Sequence, residues 1–307
     1  MSYKLYATYN DLLYDITNRC NNMSWSSDKD TLAVQLDFDS IVNMDEGTQV
    51  GIENVDNNLI YIGILFKKTQ KKFENAYTCM DFAFYLKNKT TIQFNNVSAS
   101  DAIQQLCNKF NIEFEIDSIA TKINKIYKAQ EASSIIDDIL TQAENETGQE
   151  YIKEMNVTTL VIKKLEDTKI TPKIIIGNDV SLESSIENMK NSIIVQSNDE
   201  NDNTVYAAYK DDNSIAKYGL LQEVQTIDSK NKSQASQIAK NFILKNNKVF
   251  KNLTFSAVAL NDADEIKANR MMNIILADFN ISTWLRIKSV KHTLKNNLHE
   301  LSLEFDF

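Results

Sequence analysis

Two histidines, three cysteines and one run of acidic and amide residues are the groups in this 307-residue chain whose types and spacing could do chemistry. His292 and His299 flank Asn296-Asn297, a pair suited to a two-residue hairpin turn. In that register Leu294 stands opposite His299 and His292 opposite Leu301, so both imidazoles share a face as diagonal neighbours, roughly 7 to 8 Å apart at Cα. The rest of that face is Val290, Leu294, Leu301, Leu303 and Phe305, with no Asp, Glu or Cys to act as a third metal ligand. Both histidines are expected to be structural. In Asn198-Asp-Glu-Asn-Asp-Asn203, residues Asp199, Asn201 and Asn203 have the first three spacings of a calcium loop. The match then fails, because Thr204 stands where the turn glycine belongs and Lys210 where the bidentate glutamate belongs, leaving a solvated hairpin loop as the expectation. Cys20, Cys79 and Cys107 are odd in number and far apart, which builds neither a disulfide framework nor a metal site, so all three are expected to be reduced and structural. Nucleophilic catalysis finds no G-x-S-x-G, no nucleotide-binding glycine loop and no cysteine with an identifiable base. Asp37 and Asp39 lie two apart on one strand face, where solvation is the ordinary explanation rather than a glycosidase pair. The residues thus offer no catalytic group, no cofactor-binding group and no metal ligand, and the chain is expected not to be an enzyme.

The composition bounds the remaining classes. With 43% hydrophobic residues the chain can bury a substantial core, and its length allows two or three domains. A net charge of −9 argues against a grip on nucleic-acid backbones. The N-terminus has no apolar run suited to a signal h-region, and no stretch approaches the roughly 18 apolar residues of a membrane span. Synthesis in the cytosol without a membrane anchor is expected. Only 6 Gly and 1 Pro are present, so Asn, which tolerates the left-handed backbone region, is expected to carry many turns.

Periodicity places the elements. Over 31–39 Leu32, Val34, Leu36 and Phe38 alternate on one face, 59–66 is apolar on both faces like a central strand, and over 77–86 Met80, Phe82, Phe84 and Leu86 are expected to form the core face. Behind a Ser98 N-cap the period becomes helical, with Ala102, Ile103, Leu106, Cys107 and Phe110 on one stripe. A second helix from about 133, with Ile135, Ile136, Ile139, Leu140 and Ala143, ends near Gly148. Strands at about 112–116, 151–155 and 157–164 alternate with these helices, and Pro172 with Gly177 marks the exit. Beyond 185 come strands at about 191–197 and 203–209, one amphipathic helix over 233–246, and strands at about 251–260, 271–277, 281–288, 289–295 and 298–305. The helix stripe of Ala235, Ile238, Ala239, Phe242 and Ile243 is expected to pack on the C-terminal β-unit. The division is 1–92, an N-terminal β domain; 93–184, a mixed α/β insertion; and 185–307, a C-terminal β domain with one packed helix. The fold class is mainly β with an α+β insertion, and Ile238, Phe242, Phe82 and Phe84 are its expected core residues. On 281–288, Trp284 and Arg286 share a polar face, the composition of an interface anchor, and a second buried layer beneath the helix is the open alternative.

One stretch points further. Ser185-Ile-Glu-Asn-Met-Lys-Asn-Ser-Ile-Ile-Val195, then Asp212-Asn-Ser-Ile-Ala-Lys-Tyr-Gly-Leu-Leu-Gln-Glu-Val224, stand ahead of a Ser/Gln/Ala-rich helix. Trp25-Ser-Ser-Asp28, Tyr61-Ile-Gly-Ile-Leu-Phe66 and Leu301-Ser-Leu-Glu-Phe305 add to them. In this order the blocks resemble the baseplate hub proteins of contractile phage tails and tail-like bacteriocins, the group related to phage late control protein D. The sequence departs from that pattern at Ser27, where Gly is usual, and at Ala268-Asn269, where a turn Gly is usual and Asn269 could supply the left-handed residue. The resemblance implies two tail-tube-like β-barrel or sandwich domains flanking the insertion. It also implies a homotrimeric, pseudo-sixfold ring that joins the tail tube to the central spike, next to tape-measure and other baseplate proteins. Such a chain would be made and assembled in the bacterial cytoplasm and end in the released virion or particle. Two rival readings are a monomeric β-rich binding module, such as a carbohydrate binder, and a cell-wall hydrolase.

Overall fold

A computed structural model describes residues 3–9, 12–199, 204–261, 263–295 and 298–307. The chain is mostly β, built around a curled sheet. Among the described residues, fourteen strands join this sheet. From one end it runs through Leu12–Asp15, Lys4–Tyr9, Gln49–Glu53, Leu59–Gln70, Asn75–Asp81, Thr31–Ser40 and Cys20–Asp28, which are N-terminal strands. It continues directly into the C-terminal strands Ile281–Lys295, Leu298–Asp306 and Phe250–Asn261. The seam is the antiparallel pairing of Cys20–Asp28 with Ile281–Lys295, where Trp25 lies opposite His292.

The C-terminal strands curl because one bent segment touches both of their outer members. Lys169–Ile170 pairs with Met271–Leu276, and Lys173–Ile176 pairs with Phe250–Asn261. Pro172 stands between the two pairings, where its missing N–H and fixed φ suit a break in the ladder. The curl encloses Leu253, Phe255, Ile274, Leu285, Ile287 and Phe305, and a separate core under the N-terminal strands holds Leu5, Leu36, Phe38, Ile52, Leu65 and Tyr77. Position 92 lies inside strand Lys89–Ser98 and position 184 inside Ser181–Ser185, so strand pairing runs through both of those positions.

The insertion follows its expected periodicity. Helix α1 (Ala99–Lys109) starts where the Ser98 side chain accepts from Asp101 N at 3.2 Å, and helix α2 (Ala132–Thr147) ends at Gly148 with φ +73°. Their stripes meet in a core with Ile103, Leu106, Cys107, Ile135, Ile136 and Ile139. Strands Glu113–Ile116, Tyr151–Asn156 and Thr159–Lys164 form a small sheet. Lys122–Glu131, which has no clear alternation in sequence, pairs with Lys89–Ser98 across two irregularities.

Three expectations are corrected. The strand over 77–86 ends at Asp81, and Phe82–Lys87 is a 3-10 turn. Asp81 ends it because its carboxylate accepts from Ala83 N at 3.0 Å and Val34 N at 2.9 Å. The buried face is therefore Tyr77, Cys79 and Asp81, followed by Ala83 and Leu86. Phe82 is half-buried against the insertion core, and Phe84 is half-buried with its ring 5.1 Å from that of Phe66. Second, 281–288 and 289–295 are one strand, Ile281–Lys295, with a register shift between Ile287 and Ser289. Third, helix α4 (Ala235–Asn246, after the short helix α3, Asp212–Tyr218) packs within 185–307 but not on the large curled sheet. Its Ala235, Ile238, Ala239 and Ile243 pack with Ile193 and Val195 of a separate three-stranded sheet, Phe242 half-buried beside them. That sheet is Val205–Lys210, Ser192–Ser197 and Gln222–Ile227, in that order.

Asn carries turns as expected. Asn57, Asn111, Asn269 and Asn280 have positive φ at turns, Asn269 at +67° supplying the left-handed residue where Gly is usual, while Asn22 and Asn96 have positive φ at irregularities inside strands.

Candidate functional site

Residues that the sequence singled out converge on the seam between the N-terminal and C-terminal strands. The register around the histidines is the expected one, with His292 opposite Leu301 and Leu294 opposite His299. The turn residues Asn296 and Asn297 lie outside the described residues. His292 Nδ1 and His299 Nε2 are 2.9 Å apart, His292 Nε2 is 2.8 Å from the Ile266 carbonyl, and Tyr3 Oη is 3.2 Å from His299 Nδ1. Tyr3 also donates to Asp264 Oδ1 at 2.7 Å, and Asn54 donates to Asp264 Oδ2 at 2.8 Å. Trp25 stacks on His292 with centroids 4.7 Å apart and planes 9° apart. Trp25, the first residue of the Trp-Ser block, is thereby a wall of the seam. Ser27 contributes too, its Oγ accepting from Ala268 N at 2.9 Å, a bond for which a glycine has no atom. Burial lowers both histidines, His292 to about 3 and His299 to about 4, with the Asp264 charge pulling the latter back up. Both imidazoles are neutral at pH 7. Among the described residues no group of three or more His, Cys, Asp and Glu could hold a metal ion.

The other candidates lie elsewhere. Asn201 and Asn203 fall outside the described residues, while Lys210 pairs with Asp212 at 2.8 Å. Cys79 and Cys107 are buried and Cys20 is half-buried, all with free thiols. Burial pushes the Cys107 thiol up to about 12, so it is not a thiolate nucleophile. Trp284 is half-buried with Lys169 Nζ 5.5 Å from its ring centroid. Arg286 is held within the chain, its Nη1 paired with Glu150 and its Nε donating to Asn269 Oδ1 at 3.1 Å. Together with Arg270 Nη2, 2.7 Å from Glu154, it ties the insertion to the C-terminal strands.

The block 185–224 is explained by one buried amide. Asn191 is 0% exposed; its Nδ2 donates to the Gly219 carbonyl at 2.8 Å and its Oδ1 accepts from Leu221 N at 2.8 Å. Asp211 caps α3 by accepting from Asn213 N and Ser214 N, each at 3.0 Å, and Gly219 ends it at φ +83°. Ser214 Oγ then donates to Asn247 Oδ1 at 2.6 Å, fastening the end of α4. These residues build the module rather than a chemical centre.

A different surface is exposed and apolar. Strand Leu12–Asp15 is the edge of the large sheet, and all four of its residues are exposed. Leu13 is 65% exposed and Leu12 59%, with Tyr9 and Tyr14 beside them. An open edge with apolar side chains on both faces is a template for pairing with another chain.

Compared with known proteins, the chain matches the family model described as YQBQ-like over residues 23–306. It belongs to that family. It is 24% identical over 255 residues to YqbQ of Bacillus subtilis strain 168, covering 80% of this chain and 77% of that protein. Protein XkdQ of the phage-like element PBSX of the same organism is 22% identical over 254 residues, with the same shares covered. Among solved structures, a tail protein from Neisseria meningitidis MC58 superposes with a TM-score of 0.72 at 12% identity, covering 100% of this chain and 97% of that one. The 43 kDa tail protein of prophage MuSo2 from Shewanella oneidensis gives 0.70 at 11% identity, covering 98% of both chains. The Escherichia coli protein c3393, a type VI secretion component with structural similarity to T4 tail proteins gp27 and gp5, gives 0.55 at 7% identity, covering 94% and 73%. The YQBQ-like chain therefore has the fold of phage tail proteins.

Proposed function

We propose that this protein is a structural baseplate hub of a contractile tail or tail-like particle, in which three copies form a pseudo-sixfold ring between the tail tube and the central spike. The observation that carries the reading is the end-to-end match of its fold to phage tail proteins. The likeness to a secretion component that itself resembles tail proteins gp27 and gp5 favours a position near a spike. Two strand sets under separate cores, in one curled sheet, offer two β-rich units per chain for such a ring. The exposed edge Leu12–Asp15 is the surface from which heterologous contacts would start, and a ring that closes leaves no such edge open. Its partners are then two further copies of itself, the tube, the spike, and tape-measure and baseplate proteins. It is assembled in the bacterial cytoplasm and carried in the released particle. Trp284, half-exposed beneath Lys169, is a secondary contact point in this reading. The role is mechanical and uses no catalytic group.

The test is a reconstruction of the parent particle with this chain located in it. Three copies at the junction of tube and spike are expected; one copy, six copies, or a position away from that junction would overturn the proposal.

A further inference from the structure

The hydrogen-bonded chain at the seam contains one contact more than it has hydrogens to fill. Four contacts run in line: Asp264 Oδ1 to Tyr3 Oη, Tyr3 Oη to His299 Nδ1, His299 Nε2 to His292 Nδ1, and His292 Nε2 to the Ile266 carbonyl. Each needs one hydrogen. With the carboxylate ionised and both imidazoles neutral, Tyr3, His299 and His292 supply three. The fixed end of the chain decides where the shortage falls. A carbonyl only accepts, so His292 carries its hydrogen on Nε2 and its Nδ1 must accept. His299 therefore carries its hydrogen on Nε2, leaving Nδ1 as a bare lone pair facing Tyr3. The single Tyr3 hydrogen is directed at the carboxylate, at 2.7 Å, and the unfilled Tyr3–His299 contact is the longest of the four at 3.2 Å.

We infer that His299 Nδ1 is a single-proton binding site built into the seam between the N-terminal and C-terminal strands. A proton taken from solvent forms an N–H bond at Nδ1 that donates to Tyr3 Oη, while Tyr3 goes on donating its own hydrogen to Asp264 Oδ1. All four contacts are then filled, and the imidazolium faces the carboxylate through one hydroxyl. A second proton has no such place. On His292 it would set two N–H donors, and two cations, against each other across 2.9 Å.

The surrounding charges agree with this order. Asp264, on the turn Ala263–Glu265, is the carboxylate facing His299 and favours its charged form. Trp25, on the paired strand, and Asn54, just after strand Gln49–Glu53, bring no charge. His292 faces a small cavity of about 30 Å³ lined also by Lys267, Asp81, Asp264 and Tyr61, and both Lys267 and His299 oppose a charge on it. Burial lowers both histidines in the folded chain, His299 to about 4 and His292 to about 3. Both lie below the ordinary histidine value, so the stability these groups contribute is complete above about pH 6.5 and is lost as pH falls through the folded values.

Because the chain has 2 histidines, imidazole ¹⁵N spectra of the full-length protein read both sites directly. At pH 7 both rings are expected as the Nε2–H tautomer, and on acidification His299 is expected to protonate first. Tyr3→Phe removes the acceptor of the new N–H and should lower the His299 midpoint by about one pH unit, a tenfold loss of proton affinity. Asp264→Asn should lower it as well and serves where Tyr3→Phe fails to give the wild-type spectrum at pH 7. An Nδ1–H tautomer on His299 at pH 7, His292 protonating first, both rings titrating near 6.5, or a midpoint unchanged in the folded variants would each overturn the inference.

Discussion

Replacing Asn191 by Asp changes one NH₂ group to one oxygen at a position that is 0% exposed, so it isolates what the buried amide does for the module over 185–247. In the wild type, Nδ2 gives the Gly219 carbonyl its hydrogen bond at 2.8 Å, and Oδ1 accepts from Leu221 N at the same distance. The carboxylate keeps the second bond and loses the first, setting two acceptors face to face and burying a charge beside them. An unsatisfied buried acceptor costs about 1 to 3 kcal/mol, and an uncompensated buried charge about 3 to 5 kcal/mol. The two overlap because they arise at one contact, which gives an expected loss of about 4 kcal/mol at pH 8. Protonation restores a donor toward Gly219, so the variant carboxyl is raised above its unfolded value. Its penalty is then full above the folded value and shrinks as pH falls. Urea unfolding of variant and wild type at pH 8 and pH 5, with hydrogen exchange of the Ser192–Ser197 amides to locate the effect, measures this. A loss below about 0.5 kcal/mol at pH 8, or a loss that grows toward pH 5, would refute the reasoning.

Ile238→Ala opens a hole under α4 and should cost about 2 to 4 kcal/mol, half-buried Phe242→Ala about 2, and exposed Lys240→Ala less than about 0.5, all read by thermal unfolding. Leu13→Asp on the exposed edge should leave the isolated chain within about 0.5 kcal/mol of wild type while reducing assembled particles several-fold, counted by microscopy. Thiol labelling of the native protein should reach Cys20 slowly and leave Cys79 and Cys107 untouched, with all three reacting in denaturant. Burial outweighs two backbone N–H bonds and Lys267 and pushes Asp81 up to about 7, so its stabilising contribution is present below the ordinary carboxylate value and declines as pH rises toward 7. In Asp81→Asn that decline, seen in unfolding free energies between pH 4 and 8, should be absent.

Local chemistry was legible in the sequence wherever one segment carries its own instruction. Helices α1 and α2 follow from a 3.6-residue apolar period, a Ser98 cap and Gly148, because helical bonds join near neighbours. The histidine register followed from the turn length, since a two-residue connection leaves one pairing. Asn269 in the left-handed region follows from the small set of residues that tolerate it. The end of the strand at Asp81 was hidden, because its alternation continues through Leu86 and one of the two bonds that hold the Asp81 carboxylate comes from Val34 N, 47 residues away. Strand Gln222–Ile227 was hidden as well: it pairs in parallel at the side of a small sheet, where exposed Val224 sits on a polar-looking run. The histidine pair was visible as a pair without being visible as a site. Its acceptors come from Tyr3 and the 264–266 segment and its stacking partner from Trp25, groups up to 296 residues away in the chain. Sequence determined the types of these groups and the two paired strands that hold the imidazoles. Only the tertiary structure decided that four polar contacts meet three hydrogens there, because the count depends on which distant groups the curled sheet brings into line.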